Sequence, residues 1–183
     1  MSFYSYSSVS SGGVFQVVNC LNLMDIMVCY HSFFGCKTCL LDHLPSLRTL
    51  VFEACCFSAV HHFVLSNLDS LQMIQLNRSS CSSCVSIRFE SLPKLQSLVL
   101  GEYALAEDSD KLSTLVMKNL PSFAHLDAAG FNFRYIKSIV LENIPLLTGD
   151  GIHVGRRCFR QVHTLQSSGA DALDAAIRGA SPD

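Results

Sequence analysis

Residues 44–52 read LPSLRTLVF, and the same outline returns at residues 68–76 as LDSLQMIQL and at residues 92–100 as LPKLQSLVL. The step is 24 residues each time. A fourth copy, LPSFAHLDA, begins at Leu120, 28 residues on, and the extra residues fit in the polar stretch AEDSDK at residues 106–111. Ile144 opens a fifth copy as IPLL, where TGDG at residues 148–151 delays the next apolar pair to Ile152 and Val154. Upstream, Cys20, Leu23, Ile26 and Val28 keep the phase. Self-similarity at a fixed period of this size marks a stack of structural repeats.

The second half of each unit repeats too. A bulky apolar residue recurs after the first segment, at Phe33, Phe57, Cys81, Leu105, Phe133 and Phe159. An alternating segment then closes the unit: FVLSN ending at Asn67, IRFES at Ser91, LVMKN at Asn119 and IVLEN at Asn143, with FQVVN ending at Asn19 as a partial first copy. In LxxLxL the last two leucines are two apart, so they share one face of a strand while their neighbours point the other way. The same holds for the second segment. Each unit therefore supplies two short strands with one apolar face apiece, and neither can bury that face alone. Stacking units about 4.8 Å apart merges the faces into one core. The expected fold is a repeat solenoid, mainly β, with two short strands per unit of about 24 residues and parallel sheets. The proline after the first leucine suits an entry turn, and the terminal asparagine suits an amide ladder across units.

These residues, LPSLRTLVF, LPKLQSLVL and the recurring terminal Asn, resemble the leucine-rich repeat family. The second apolar strand and the recurring phenylalanine resemble the BspA-like repeats of bacterial and protist surface or secreted proteins more than the single-strand LxxLxLxxN form. Plant resistance-type and F-box-associated repeats also use LPxLxxLxL, and the subtype stays open. The resemblance covers residues 15 to about 165. It implies a curved solenoid whose exposed strand positions recognise another macromolecule, and it implies no catalytic residue.

The chain accordingly divides into a Ser/Gly-rich N-terminal segment (1–14), the leucine-rich repeat solenoid (15–166) and a flexible C-terminal tail (167–183). Residues 171–178 could form a brief helix with Leu173 and Ile177 on one face, too short to be stable alone. The candidate partner-binding row is the solvent-facing set of first-strand positions: Arg48, Val51 and Glu53; Gln72, Gln75 and Asn77; Gln96 and Val99; His125 and Asp127. Mixed in sign and rich in amides, it suits a protein partner better than a phosphate backbone. Neither end of the array shows a polar cap, which leaves core and strand edge open to self-association. The two leading readings of function are a non-catalytic protein-interaction module and a structural, self-assembling segment of a longer array; a third, less favoured, is a zinc- or thiol-dependent protein whose CxxC pairs would have to converge in space.

Composition narrows the rest. With 49% apolar and 15% charged residues the chain is too hydrophobic to be disordered. A formal charge of −2 gives no global basic field for nucleic acid. No apolar run approaches the roughly 20 residues of a membrane span. The N-terminus has neither a basic n-region nor an apolar h-region, so the expectation is a cytoplasmic protein.

Two CxxC pairs, Cys36 with Cys39 and Cys81 with Cys84, would in isolation suggest zinc or thiol chemistry. The repeat register places Cys39 where other units carry Phe63, Ile87, Leu115 and Ile139, and Cys81 where they carry Phe57 and Phe133. The expectation is core substitution, with no metal and no cofactor. Cys55 and Cys56 fall in a turn, where exposure would make them oxidation-prone, the less favoured reading. Gly149, Gly151 and Gly155 are spaced GxGxxxG, which reads as a loop at a repeat insertion rather than a phosphate cradle. His61 and His62 read as an exposed pair, and Glu107, Asp108 and Asp110 as a solvated acidic loop.

Overall fold

A computed structural model describes residues 2–3, 12–106 and 112–180. The acidic loop at Glu107, Asp108 and Asp110 and most of the Ser/Gly-rich segment lie outside the described residues. In chain order the strands are β1 (Ser2–Phe3), β2 (Gly13–Val18), β3 (Asp25–Val28), β4 (Cys36–Asp42), β5 (Thr49–Phe52), β6 (His62–Ser66) and β7 (Met73–Leu76). They continue as β8 (Ser86–Glu90), β9 (Ser97–Leu100), β10 (Thr114–Lys118), β11 (His125–Ala128), β12 (Ser138–Glu142), β13 (Ile152–Val154) and β14 (Thr164–Ser168). Odd-numbered strands form one seven-stranded sheet and even-numbered strands the other. Every neighbouring pair is parallel, so the chain winds as a mainly-β solenoid of about six turns.

Pairing follows the 24-residue period. Leu50 lies against Ile74, Ile74 against Leu98, Leu98 against Leu126 and Leu126 against Ile152. The insertion at residues 148–151 thus leaves the register intact, absorbed by a 3-10 turn at Gly149–Gly151. In the second sheet Cys39, Phe63, Ile87, Leu115, Ile139 and Leu165 make the corresponding row. All but Leu165 are buried, as are the paired corner leucines Leu44 and Leu47, Leu68 and Leu71, and Leu92 and Leu95. The two alternating faces meet in a single core between the sheets.

Corners bend the chain through the left-handed region, three in each coil except the one that carries Leu105, where two do. The first carries the terminal residue of each unit: Asn19, His43, Asn67, Ser91, Asn119 and Asn143 at φ between 51° and 59°, with Gly169 at 65°. Asn tolerates this conformation better than most side chains, and Gly at no steric cost. This, more than an amide ladder, explains the recurring Asn: among the described asparagines at these corners one Asn–Asn bond forms, Asn143 Nδ2 donating to Asn119 Oδ1 at 3.3 Å. The third corner sets the recurring bulky residue at positive φ in Phe33, Phe57, Cys81, Phe133 and Phe159. A left-handed phenylalanine is strained. Burial and stacking offset it, with Phe33 on Phe57 and Phe133 on Phe159 each at 5.0 Å between ring centres.

The C-terminal segment departs from the loose tail that its composition predicts. β14 extends through residues 164–168, and α1 (Asp171–Gly179) follows, burying Leu173 and Ile177. A helix this short is marginal in water. Here the open end of the last coil supplies the apolar contact that isolation would deny it, Asp171 and Asp174 sit in its first turn, and Arg178 pairs with Asp174 one turn back. The expectation of two open ends is therefore corrected at one of them. The first coil does remain apolar at its surface, exposing Val14, Leu21, Met24, Met27, Tyr30 and Phe34.

Two measurements follow from this packing. Leu98→Ala should cost about 2–5 kcal/mol in denaturant unfolding, whereas Leu112→Ala, at a side chain 88% exposed, should stay within about 0.5 kcal/mol. At the first corner, Asn67→Gly should be close to neutral and Asn67→Val should cost about 1–2 kcal/mol; equal losses for the two would remove the conformational explanation of the recurring Asn.

Candidate protein-binding face

Because the strands stack in register, outward side chains of the odd-numbered sheet form straight rows. One row is Met27, Val51, Gln75, Val99, Asp127 and His153. It contains four of the residues anticipated from sequence: Val51, Gln75, Val99 and Asp127. Arg48, Gln72 and Gln96 make a second row just before the strands, tied by backbone bonds from Gln72 N to Arg48 O and from Gln96 N to Gln72 O, each 2.9 Å. Glu53 and Asn77 follow the strands in a third row, where Asn77 Nδ2 donates to Glu53 Oε2 at 3.3 Å and Gln75 Nε2 donates to Asn77 Oδ1 at 3.0 Å.

His125 falls one place from where its companions would put it. It pairs with Ser97 and belongs to a row with Asp25, Thr49 and Met73. Sequence reasoning passed over that row, although the signal was there: Thr49 stands two residues before Val51, and Ser97 two before Val99, as strand alternation requires. Asp25 and Thr49 are joined by a hydrogen bond from the threonine hydroxyl. Beside this face, Asn22, Met24, Ser46, Arg48 and Ser70 line a shallow cleft of about 320 Å³.

The outer face of the even-numbered sheet differs in its electrostatics. Charged side chains on it form ion pairs: Arg88 with Glu90 at 2.8 Å and Lys118 with Glu142 at 3.0 Å. Desolvation works to raise the Asp42 carboxyl, but hydrogen bonds from Ser66, Asn67 and His43 outweigh it and hold the group below its ordinary range. On the odd-numbered sheet the side chains of Arg48, Gln72, Gln96, His125 and Asp127 make no hydrogen bond or ion pair among the described residues.

Six of the nine cysteines are buried in the packing, and Cys20 is exposed. Cys36, Cys39, Cys81 and Cys84 are buried, and all nine cysteines are free thiols. Burial pushes the Cys39 and Cys81 thiols well above their usual range, and neighbouring cysteines push in the same direction. Groups held this way stay protonated, whereas the thiolate is the nucleophile and the metal ligand. Among the described residues no group of three or more His, Cys, Asp or Glu side chains is arranged to hold a metal. Exposure of the adjacent pair fails for Cys56, which is buried in the turn with its thiol donating to the Cys29 carbonyl at 2.9 Å, while Cys55 is half-buried. His61 is half-buried too, its amide donating to Lys37 O, and His62 is exposed at the start of β6. Gly151 and Gly155 serve close approach: a Cβ on either would lie 2.1 Å from Ala124 O or 2.5 Å from Gly130 N.

Comparison with models of known families, with curated proteins and with solved structures finds no match. The class of the protein thus rests on its geometry, a mainly-β parallel solenoid closed at one end by a helix. No helix among the described residues is long and apolar enough to cross a membrane.

Burial raises the Cys56 and Cys158 thiols from 9.0 to about 11, which fixes a pH dependence. The folded chain holds these protons more tightly than the unfolded chain, so the contribution is complete below about pH 9 and is lost as pH rises towards about 11. Equilibrium unfolding across that window should show falling stability, with Cys56→Ala and Cys158→Ala flattening the slope.

Proposed function

We propose that the chain is a non-catalytic protein-interaction module of leucine-rich repeat type that engages a protein partner through the outer face of its odd-numbered sheet. The observation that carries the reading is the contrast between the two outer faces. One sheet pairs Arg88 with Glu90 and Lys118 with Glu142; the other presents Arg48, Gln72, Gln96, His125 and Asp127 with no hydrogen bond or ion pair among the described residues, on rows of register-locked strands. Valines at 51 and 99 between these polar groups give the mixed apolar and hydrogen-bonding character of protein interfaces. Substituents on paired strands also lose little freedom on binding, because their backbones are already fixed. Free thiols in every described cysteine suit a reducing compartment, as the reading of a cytoplasmic protein requires.

A second reading is favoured by one specific feature. The apolar side chains Leu21, Met24, Tyr30 and Phe34 crowd the first coil, and an end of this kind supports self-assembly into longer arrays.

Affinity capture with mass spectrometry separates the two. A variant carrying Arg48→Ala, Gln75→Ala and His125→Ala, folded by circular dichroism, should lose a specific partner that wild type and an Arg88→Ala control both retain. Retention of that partner by the triple variant would sink the sheet-face reading. Self-association abolished by Leu21→Lys with Phe34→Lys, and by nothing on the sheet face, would move the function to the first coil.

A further inference from the structure

A cluster of three arginines without ion-pair partners among the described residues lies away from both sheets, at the second corner of the last coils. Phe131 stacks on Tyr103 of the preceding coil at 4.5 Å with the rings nearly parallel, so one face of Phe131 is covered. Three guanidinium carbons stand around the same ring: Arg156 at 5.2 Å, Arg157 at 5.5 Å and Arg134 at 5.6 Å from its centre. Arg156 and Arg157 come from the following coil, opposite Tyr103, so the three cations share the remaining face and rim of one phenylalanine. Arg134 also lies 4.8 Å from the Tyr135 ring.

Cation–π contact holds a guanidinium by its flat face and leaves its N–H edge available. None of the three arginines makes a hydrogen bond or ion pair among the described residues, and Arg134 Nε is buried with no acceptor. Among the described residues Glu102 brings a carboxylate to the same corner: its Oε1 borders the space beside Gly130 that the Arg156 side chain also borders, and it forms no ion pair there. Among the described residues, three guanidiniums and one carboxylate give this corner a local charge of +2 in a chain whose formal charge is −2. Like charges so close repel, and a bound anion relieves the repulsion.

We propose that Arg134, Arg156 and Arg157, gathered on Phe131, form a binding site for a phosphate group. A phosphate monoester carries about −1.5 to −2 charge and three acceptor oxygens, matching the local charge and the fork geometry of arginine. A single carboxylate matches it less well. A nucleic acid backbone needs cations along a track, and this cluster is confined to one ring. Free phosphate and a phosphorylated side chain share the recognised chemistry. The site is separate from the sheet face and stands or falls without it.

The test is titration of the isotope-labelled chain at constant ionic strength, following the arginine Nε–H resonances. The probes are inorganic phosphate, a phosphoserine peptide, the same peptide with glutamate at that position, and a single-stranded oligonucleotide. The proposal expects the Nε–H signals of Arg134, Arg156 and Arg157 to move with both phosphate probes. Arg156→Gln with Arg157→Gln should weaken binding about tenfold or more, the two Lys replacements should be intermediate, and Arg88→Gln should change nothing. Tighter binding of the phosphopeptide than of phosphate assigns the group to a partner protein; equal binding assigns it to free phosphate. Signals that follow ionic strength alone, an equal response to the glutamate peptide, or preferential oligonucleotide binding with a steep salt dependence would each overturn the proposal.

Discussion

Each coil of this protein is held in place by the coil on either side, through parallel in-register pairing in two sheets at once. Neither strand of a unit can bury its apolar face against the other without a neighbour to complete the layer, because two short strands enclose too little volume. Leu50, Ile74, Leu98 and Leu126 form one unbroken inner row for that reason, and Phe63, Ile87, Leu115 and Ile139 the other. The fixed register then dictates where irregularity is tolerated. Additional residues are confined to corners: the TGDG insertion becomes a 3-10 turn, and β13 still meets β11 in phase.

The corners carry the conformational cost of closing a coil this tightly. Left-handed φ recurs at three places in every coil but the one with Leu105, which has two, and the residues there are chosen by what each corner can offer in return. At the first, exposed Asn is accepted for its backbone tolerance. At the third, Phe is accepted because its ring stacks on the ring of the next coil inside the core. Cysteine at position 81 fills the same buried corner as phenylalanine does elsewhere, behaving as a small hydrophobe whose thiol burial keeps protonated.

Register also organises the outside. Side chains that point away from the core line up across successive strands, so a property repeated at one position becomes a stripe. On the even-numbered sheet Arg88 and Lys118 find carboxylates; on the odd-numbered sheet Arg48, Gln72 and Gln96, and at the Phe131 corner three arginines, have no hydrogen-bond or ion-pair partner among the described residues. The two ends differ as well, since α1 covers the last coil while the first coil shows its apolar residues to solvent.

The 24-residue spacing of LPSLRTLVF, LDSLQMIQL and LPKLQSLVL determined the period, the two strands per unit, the inner rows and four members of the outer row, because strand alternation and repeat register are both periodic in sequence. Three things were decided only in three dimensions. The helix at residues 171–179 forms because the last coil offers Leu173 and Ile177 a surface, which no local propensity reports. Cys56 is buried because its corner folds the thiol inward onto the Cys29 carbonyl, which strand periodicity does not report. The gathering of Arg134, Arg156 and Arg157 on one ring joins residues more than twenty positions apart that share no motif. Their closeness exists only because two coils stack, which is the interaction on which the whole fold depends.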